Sequence, residues 1–186
     1  MKAGDIAVIL LAAGRASRFG GGKLAADLAG KPVALHVGER LAAMPFARKV
    51  LVCSTATPPI DGFERIELDP SGAPLSRSIA TAITAVSGTG AALIALADMP
   101  LVPTDHFERL IEAFDGERIG TVVAGRTMVP AIFGAHLFSD LAALDGDRGA
   151  AALLRDAPAI TLEETLALDI DTPDDLARAE ALLQGR

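Results

Sequence analysis

Apolar runs at residues 6–11, 49–53, 91–97, 120–124 and 166–170 alternate with helix-period stretches along the 186-residue chain. A run without a polar face must be covered on both sides if it forms a strand. The intervening stretches, at 34–44, 75–86, 104–114, 136–144, 150–155 and 173–183, supply those covers. This alternation predicts an α/β fold in three layers, a mostly parallel sheet with helices on both faces. A short run at 129–133, after a turn at Gly125-Arg126, predicts an added antiparallel strand. The length suits one domain over 1–186. In such sheets ligands bind beyond the carboxyl ends of the strands, where strand order reverses.

Composition narrows the class. Hydrophobic residues make up 51% and charged residues 22%, which describes a chain with a packed core. No apolar run is long enough to span a bilayer. The apolar start is interrupted by Asp5 and followed at once by Gly14-Arg15, so it reads as a first strand rather than a secretory leader. Cys53 is the only cysteine and lies in an apolar run, which predicts a buried thiol, no internal disulfide and a cytoplasmic setting. The net charge of −7 argues against nucleic-acid and membrane partners. Its distribution says more. Residues 1–31 carry five cations, Lys2, Arg15, Arg18, Lys23 and Lys31, against Asp5 and Asp27, while the remainder is strongly acidic. That pattern fits the focusing of a small anion near residue 20, and it also fits chance surface charge.

The sequence that follows the first apolar run decides between those readings. Gly14, Gly20, Gly21 and Gly22 let a backbone approach a ligand closely, and Arg15, Arg18 and Lys23 add full charges. Arginine offers a fork to phosphate oxygens and lysine a compact point charge. A Walker loop is excluded, because Ser17 stands at its first glycine and Leu24 at its Ser/Thr. A dinucleotide fingerprint forced onto Gly20, Gly22 and Ala25 begins too far beyond the strand and has no clear acidic ribose ligand. No Gly-x-Ser-x-Gly element supports a serine hydrolase. His36, His106 and His136 lack metal-ligand spacing and read as structural or surface residues.

The pattern Leu-x-Ala-Gly-x-x-x-Arg-x-Gly-x-x-Lys over residues 11–23 resembles the signature loop of the MobA-like NTP transferases. Related loops occur in sugar-phosphate nucleotidylyltransferases and in the cytidylyltransferase of isoprenoid synthesis. The resemblance continues through Gly30-Lys31-Pro32, Gly72-x-Pro74-Leu75, Asp98-Met99-Pro100, the turn from Gly146 to Ala150 and Asp169-Ile170-Asp171-Thr172-Pro173. It therefore covers most of the chain. Ala12-Ala13-Gly14 stands where guanylyl-loading members have Ala-Gly-Gly, which makes the chain more similar to the group that loads CMP onto molybdopterin. Phe19, Ala151 and Met128-Val129 depart from the family's usual residues.

The resemblance implies a nucleotide-diphospho-sugar transferase-like, Rossmann-like fold and a Mg²⁺-dependent transfer of a nucleotidyl group to a phosphate acceptor. It implies that Leu11, Ala12, Ala13, Gly14, Arg15, Lys23, Gly72, Pro74 and Ser78 bind nucleotide. Arg15, Arg18, Lys23 and Asp98 would carry the chemistry, and Asp98, Asp169 and Asp171 would hold the metal. The expected partners are an NTP (CTP ahead of GTP), a molybdopterin-type acceptor, and a molybdoenzyme or chaperone that receives the product. On residue chemistry alone Asp171 serves equally as a turn former ahead of the helix start Thr172-Pro173. Asp174 and Asp175 read as complements of that helix's dipole, and Asp145 and Asp147 as loop acids. A sugar-phosphate or methylerythritol-phosphate acceptor, or a nucleotide-binding module without turnover, are the competing functions.

Overall fold

The computed structural model describes residues 1–14, 19, 21–68, 74–146 and 149–185. Its first strand, β1 (Ile6–Ala12), is buried at every position. Such a strand needs apolar cover on both faces, and the chain supplies it in order. A small hairpin, β2 (Asp27–Leu28) and β3 (Lys31–Pro32), precedes α1 (Val33–Ala43), β4 (Arg48–Cys53), β5 (Glu64–Glu67), α2 (Leu75–Ala85) and β6 (Ala91–Leu96). Then come α3 (Thr104–Ala113), β7 (Arg118–Val123), β8 (Arg126–Gly134), α4 (Phe138–Ala142), β9 (Ala159–Thr161) and α5 (Pro173–Gln184).

The main sheet has seven strands in the order β5-β4-β1-β6-β8-β7-β9. Only β8 runs against the others. Side-chain alternation splits β1 between two cores. Ile6, Val8 and Leu10 pack with Val37 and Leu41 of α1 and Phe107 and Leu110 of α3. Ala7, Ile9 and Leu11 pack with Ile79 and Ile83 of α2 and Leu141 of α4. The three-layer, mostly parallel architecture expected from the sequence is what forms.

The structure departs from the sequence reading in five places. Residues 166–170 are not a strand: Leu166 and Ala167 donate to Glu163 within a turn, and Ile170 donates to the Asp98 carbonyl. The run is apolar because Ala167 and Ile170 close the core, not because it pairs along a neighbour. The last strand is instead β9, which pairs in parallel with β7. The edge strand β5 escapes the apolar pattern because its sequence is Glu-Arg-Ile-Glu; charge on an edge discourages pairing with another chain. The stretch 136–144 forms a 3₁₀ turn, Ala135–Leu137, followed by the short α4. Residues 150–155 likewise give only a 3₁₀ turn, Ala150–Leu153. The antiparallel β8 does form. Its hairpin turns one residue earlier than expected, at Ala124 (φ 46°) and Gly125 (φ 77°), the positive-φ pair of a tight two-residue connection.

His106 of α3 is buried beneath β7 and β8. Its Nε2 lies 2.8 Å from Thr121 Oγ1, and that hydroxyl donates to the Pro130 carbonyl at 2.6 Å. The hydroxyl has one proton, so the imidazole donates through Nε2–H. Nδ1 is buried without a partner among the described residues. Burial, with Arg109 as a second cause, holds the ring's pKa down to about 4, against 6.5 in the unfolded chain. Between those values the unfolded chain takes up a proton that the native one refuses. Stability from this group is present above pH 6.5 and is lost as pH falls towards 4. Urea-unfolding midpoints should therefore drop between pH 7 and pH 4.5 in the wild type. In His106→Gln the drop should be smaller, because the amide keeps a donor to Thr121 and does not titrate.

Candidate active site

Strand order reverses at β1. β4 and β5 lie on one side of it and β6 on the other, with Leu11 opposite Leu96. The carboxyl ends of β1 and β6 therefore open onto a switch-point crevice. At this end the two ladders run out. Ala97 donates to the Leu11 carbonyl at 3.0 Å. On the other side β4 has already turned away after Cys53, and the buried Thr57 Oγ1 donates to the Ala12 carbonyl at 3.1 Å. Thr57 is itself held by a tight turn. Its N–H donates to the Ser54 carbonyl at 3.1 Å, and its Oγ1 accepts from the Ser54 N–H at 3.2 Å. A hydroxyl thus supplies the rung that the strand no longer provides. Ala13 and Gly14 are the first residues beyond the ladder.

Lys23 enters the same crevice. Gly21 (φ 105°) and Gly22 (φ 66°) turn the chain through the left-handed region, which side chains rarely adopt, into a 3₁₀ turn, Lys23–Ala25. The lysine side chain is only 6% exposed, and its Nζ donates to Asp98 Oδ2 at 2.7 Å and Asp171 Oδ1 at 2.8 Å. Asp98 is 22% exposed and Asp171 42%, so the pair grades from interior to rim. Burial alone would lower the lysine's pKa; Asp98 and Asp171 outweigh it and hold the ammonium above its ordinary range. Asp98 Oδ1 is buried without a partner among the described residues.

The aspartates come together by a route other than the expected one. Asp98 follows β6, as its sequence position implied. Asp171 does not end a strand; the Ile170 N–H donates to the Asp98 carbonyl at 2.8 Å and brings the segment alongside. Asp175 then fixes it. Its Oδ2 accepts from the Asp171 N–H at 3.2 Å, the Thr172 N–H at 2.8 Å and Thr172 Oγ1 at 2.7 Å, while Thr172 Oγ1 accepts from the Asp175 N–H. These bonds, Thr172's first, lower the Asp175 pKa. Asp175 is thus one half of a capping box as well as a first-turn acid. Asp169 is exposed at the lip; partial burial, then Asp171 and Asp98, raise its pKa.

Two adjoining cavities open here. A cleft of about 340 Å³ is lined by Leu11, Ala12, Ala13, Gly14, Lys23, Ser78 and Asp98 among others. Pro74 caps the start of α2, next to the lining residue Leu75. A second cavity of about 580 Å³ shares Leu11, Leu75 and Leu96 with it and carries Arg126, Glu164 and Asp169. A larger one, about 790 Å³, lies beside Ala3 and Met44, which precede β1 and β4. It shares no residue with the crevice and sits at the amino end of the sheet, away from the switch point. The expected site residues Arg15, Arg18 and Gly72 lie outside the described residues, as does Asp147.

No three His, Cys, Asp or Glu residues are grouped as a metal cage among the described residues. A lysine ammonium stands between Asp98 and Asp171 instead. The donor chemistry still fits a hard cation. Two carboxylates converge, and a buried carboxylate oxygen lacks any partner among the described residues.

The chain matches the model of the MobA-like NTP transferase domain over residues 8–164. No curated protein matches it. Among solved structures, the homologue of Mycobacterium tuberculosis Rv0371c from Mycobacterium sp. strain JC1 superposes with a TM-score of 0.87 at 23% identity, covering 100% of this chain and 99% of that one. A Methanothermobacter nucleotidyl transferase gives 0.78 at 21% identity, with 97% and 99% covered. Rv0371c of Mycobacterium tuberculosis, solved as a complex with manganese, gives 0.76 at 24% identity, with 95% and 98% covered. These likenesses show a shared nucleotidyltransferase-type fold.

Sequence reasoning missed Thr57, because a hydroxyl that ends a ladder has no sequence signature. Its contribution is measurable. Thr57→Val keeps the shape but leaves the Ala12 carbonyl without its donor, which should lower unfolding free energy by about 1–3 kcal/mol. Thr57→Ser should recover most of that in urea titrations.

Proposed function

The chain belongs to the MobA-like NTP transferase family, and from that premise we propose that it transfers CMP from CTP to the phosphate of a molybdopterin-type acceptor. The observation that carries the proposal is the Lys23–Asp98–Asp171 cluster at the switch point, beside two cavities that share a wall. The smaller cleft suits the nucleotide. The larger suits an acceptor body, with Arg126 as a cation for its phosphate.

In the reaction, an acceptor phosphate oxygen attacks the α-phosphorus. The bond from that phosphorus to the β-phosphate bridging oxygen breaks, and pyrophosphate leaves. The acceptor phosphate is already ionised near neutral pH, so no general base is required. The protein's work is alignment and charge neutralisation. Ala13 and Gly14, free of the ladder, approach the phosphates. Arg15, Arg18 and Lys23 hold the β- and γ-phosphates and stabilise the pyrophosphate as it departs. Gly72, Pro74 and Ser78 border the base and ribose. Asp98 and Asp171, with Asp169 beside them, would hold Mg²⁺, which when bound supplies Lewis-acid charge stabilisation at phosphate oxygens. Support for a divalent metal comes from the unpartnered Asp98 Oδ1, and a structural neighbour is described as a manganese complex. The preference for CTP rests on Ala13, and GTP is the alternative donor. No helix among the described residues is long and apolar enough to cross a membrane. A cytoplasmic setting, action as one domain and delivery of product to a molybdoenzyme or its chaperone complete the proposal.

Pyrophosphate release with CTP, GTP or ATP, each paired with molybdopterin cofactor or with sugar and methylerythritol phosphates, tests this directly. The expected result is release with CTP and molybdopterin cofactor. GTP preference would move the chain to the guanylyl group, and no release with any pair would end the enzymatic reading. Lys23→Ala should lower turnover by about 10²–10³, the scale of losing one preorganised electrostatic contact. Unchanged kinetics would remove Lys23 from the mechanism.

A further inference from the structure

The structure shows Lys23 engaged with carboxylates, whereas the transfer reaction wants it on phosphates. We propose that Lys23 is a resident counter-ion, which excludes a divalent metal from the Asp98–Asp171 pair until nucleotide phosphates draw the ammonium away. The inference rests on the reading that this pair is the metal's ligand set.

The lysine Nζ is held at 2.7 Å and 2.8 Å from one oxygen of each aspartate, and its side chain is 6% exposed. An ammonium so enclosed occupies the position where the two carboxylates converge. A divalent ion held by the same two carboxylates would compete with the ammonium for that place, and like charges at close range repel strongly away from bulk water. The two cations are therefore alternatives. Removing the lysine without a replacement would leave two carboxylates facing each other at a half-buried site, which is also unfavourable. One positive charge must be present, and in this state it is lysine's.

A triphosphate changes the balance. It offers the ammonium several anionic oxygens in the cleft that Lys23 already lines. Lysine's four-carbon stem lets the charge move while Gly22 and the 3₁₀ turn keep the backbone fixed. As the ammonium moves to phosphate, the aspartates become open to metal. Asp98 Oδ1, buried and without a partner among the described residues, is the oxygen left unsatisfied while lysine holds Oδ2. Nucleotide binding thereby prepares the metal site, and metal alone binds poorly.

Mn²⁺ titration of the full chain followed by electron paramagnetic resonance, without nucleotide, reads this directly. Lys23→Met should bind Mn²⁺ about tenfold or more tightly than the wild type, as removal of a nearby like charge predicts. Asp98→Asn placed in the Lys23→Met chain should abolish that site. Asp98-dependent Mn²⁺ binding of equal strength in wild type and Lys23→Met would overturn the counter-ion role while leaving the metal reading intact. No Asp98-dependent binding in either chain, with or without CTP, would overturn the metal reading and this inference with it. If circular dichroism shows Lys23→Met unfolded, the wild type carries the test. At Mn²⁺ concentrations that fill the Asp98-dependent site, acetic anhydride labelling of Lys23 relative to Lys31 should rise severalfold, and unchanged labelling would overturn the proposal.

Discussion

The ammonium of Lys23 joins parts of the chain that lie far apart in sequence. Its two carboxylate partners lie 75 and 148 residues away, one at the exit of β6 and one ahead of α5. A buried lysine is tolerated only when its charge is matched, so the contact forms only after β1 and β6 are side by side and the C-terminal segment has docked. Much of the surrounding structure serves that docking. The Ile170 N–H meets the Asp98 carbonyl, and the Thr172–Asp175 capping box fixes the backbone of Asp171. Helix capping, usually a matter of local stability, here sets the position of the Asp171 carboxylate.

The crevice itself follows from how β1 ends. Its ladder partners fall away at different points, and two separate groups, the Ala97 N–H and the Thr57 hydroxyl, take up the last carbonyls. The strand is therefore held firmly to its final residue, and the next peptide lies beyond the ladder. The nucleotide-binding role proposed for Ala13 and Gly14 needs that combination. A frayed strand end would add disorder at the point where groups must be aligned, and a longer ladder would occupy the peptides that should meet phosphate.

Legibility in the sequence tracked how each feature is specified. β1, β4 and β6 were readable because burial on both faces forces apolar residues at consecutive positions. β5 was not, because an edge strand is allowed to be charged. Residues 166–170 carried the apolar signal of a strand, yet the same signal arises wherever a turn closes over a core. Lys23 and Asp98 were readable because glycines and charges of fixed spacing follow two central strands. Asp171 was readable as a candidate, but its means of placement was not, since a single backbone hydrogen bond leaves no pattern. The Thr172–Asp175 spacing was a capping-box signal present in the sequence and read there only as dipole complementarity. Thr57 acts through a turn whose geometry no residue type announces.

The two cavities are built from different kinds of feature. The cleft proposed for the nucleotide is walled by the end of β1, the first residues of α2 and the exit of β6. Main-chain geometry and a few charges define it, and those recur wherever the chemistry recurs. The larger cavity is walled by side chains from the β7–β8 hairpin, the turn at Ala150 and the segment around Asp169. The β7–β8 hairpin lies beyond β6, on the far side of it from β1. A scaffold arranged this way can keep its donor site while changing its acceptor. The shared wall of Leu11, Leu75 and Leu96 would keep the proposed acceptor next to the nucleotide, and under that proposal the residues beyond the wall select it.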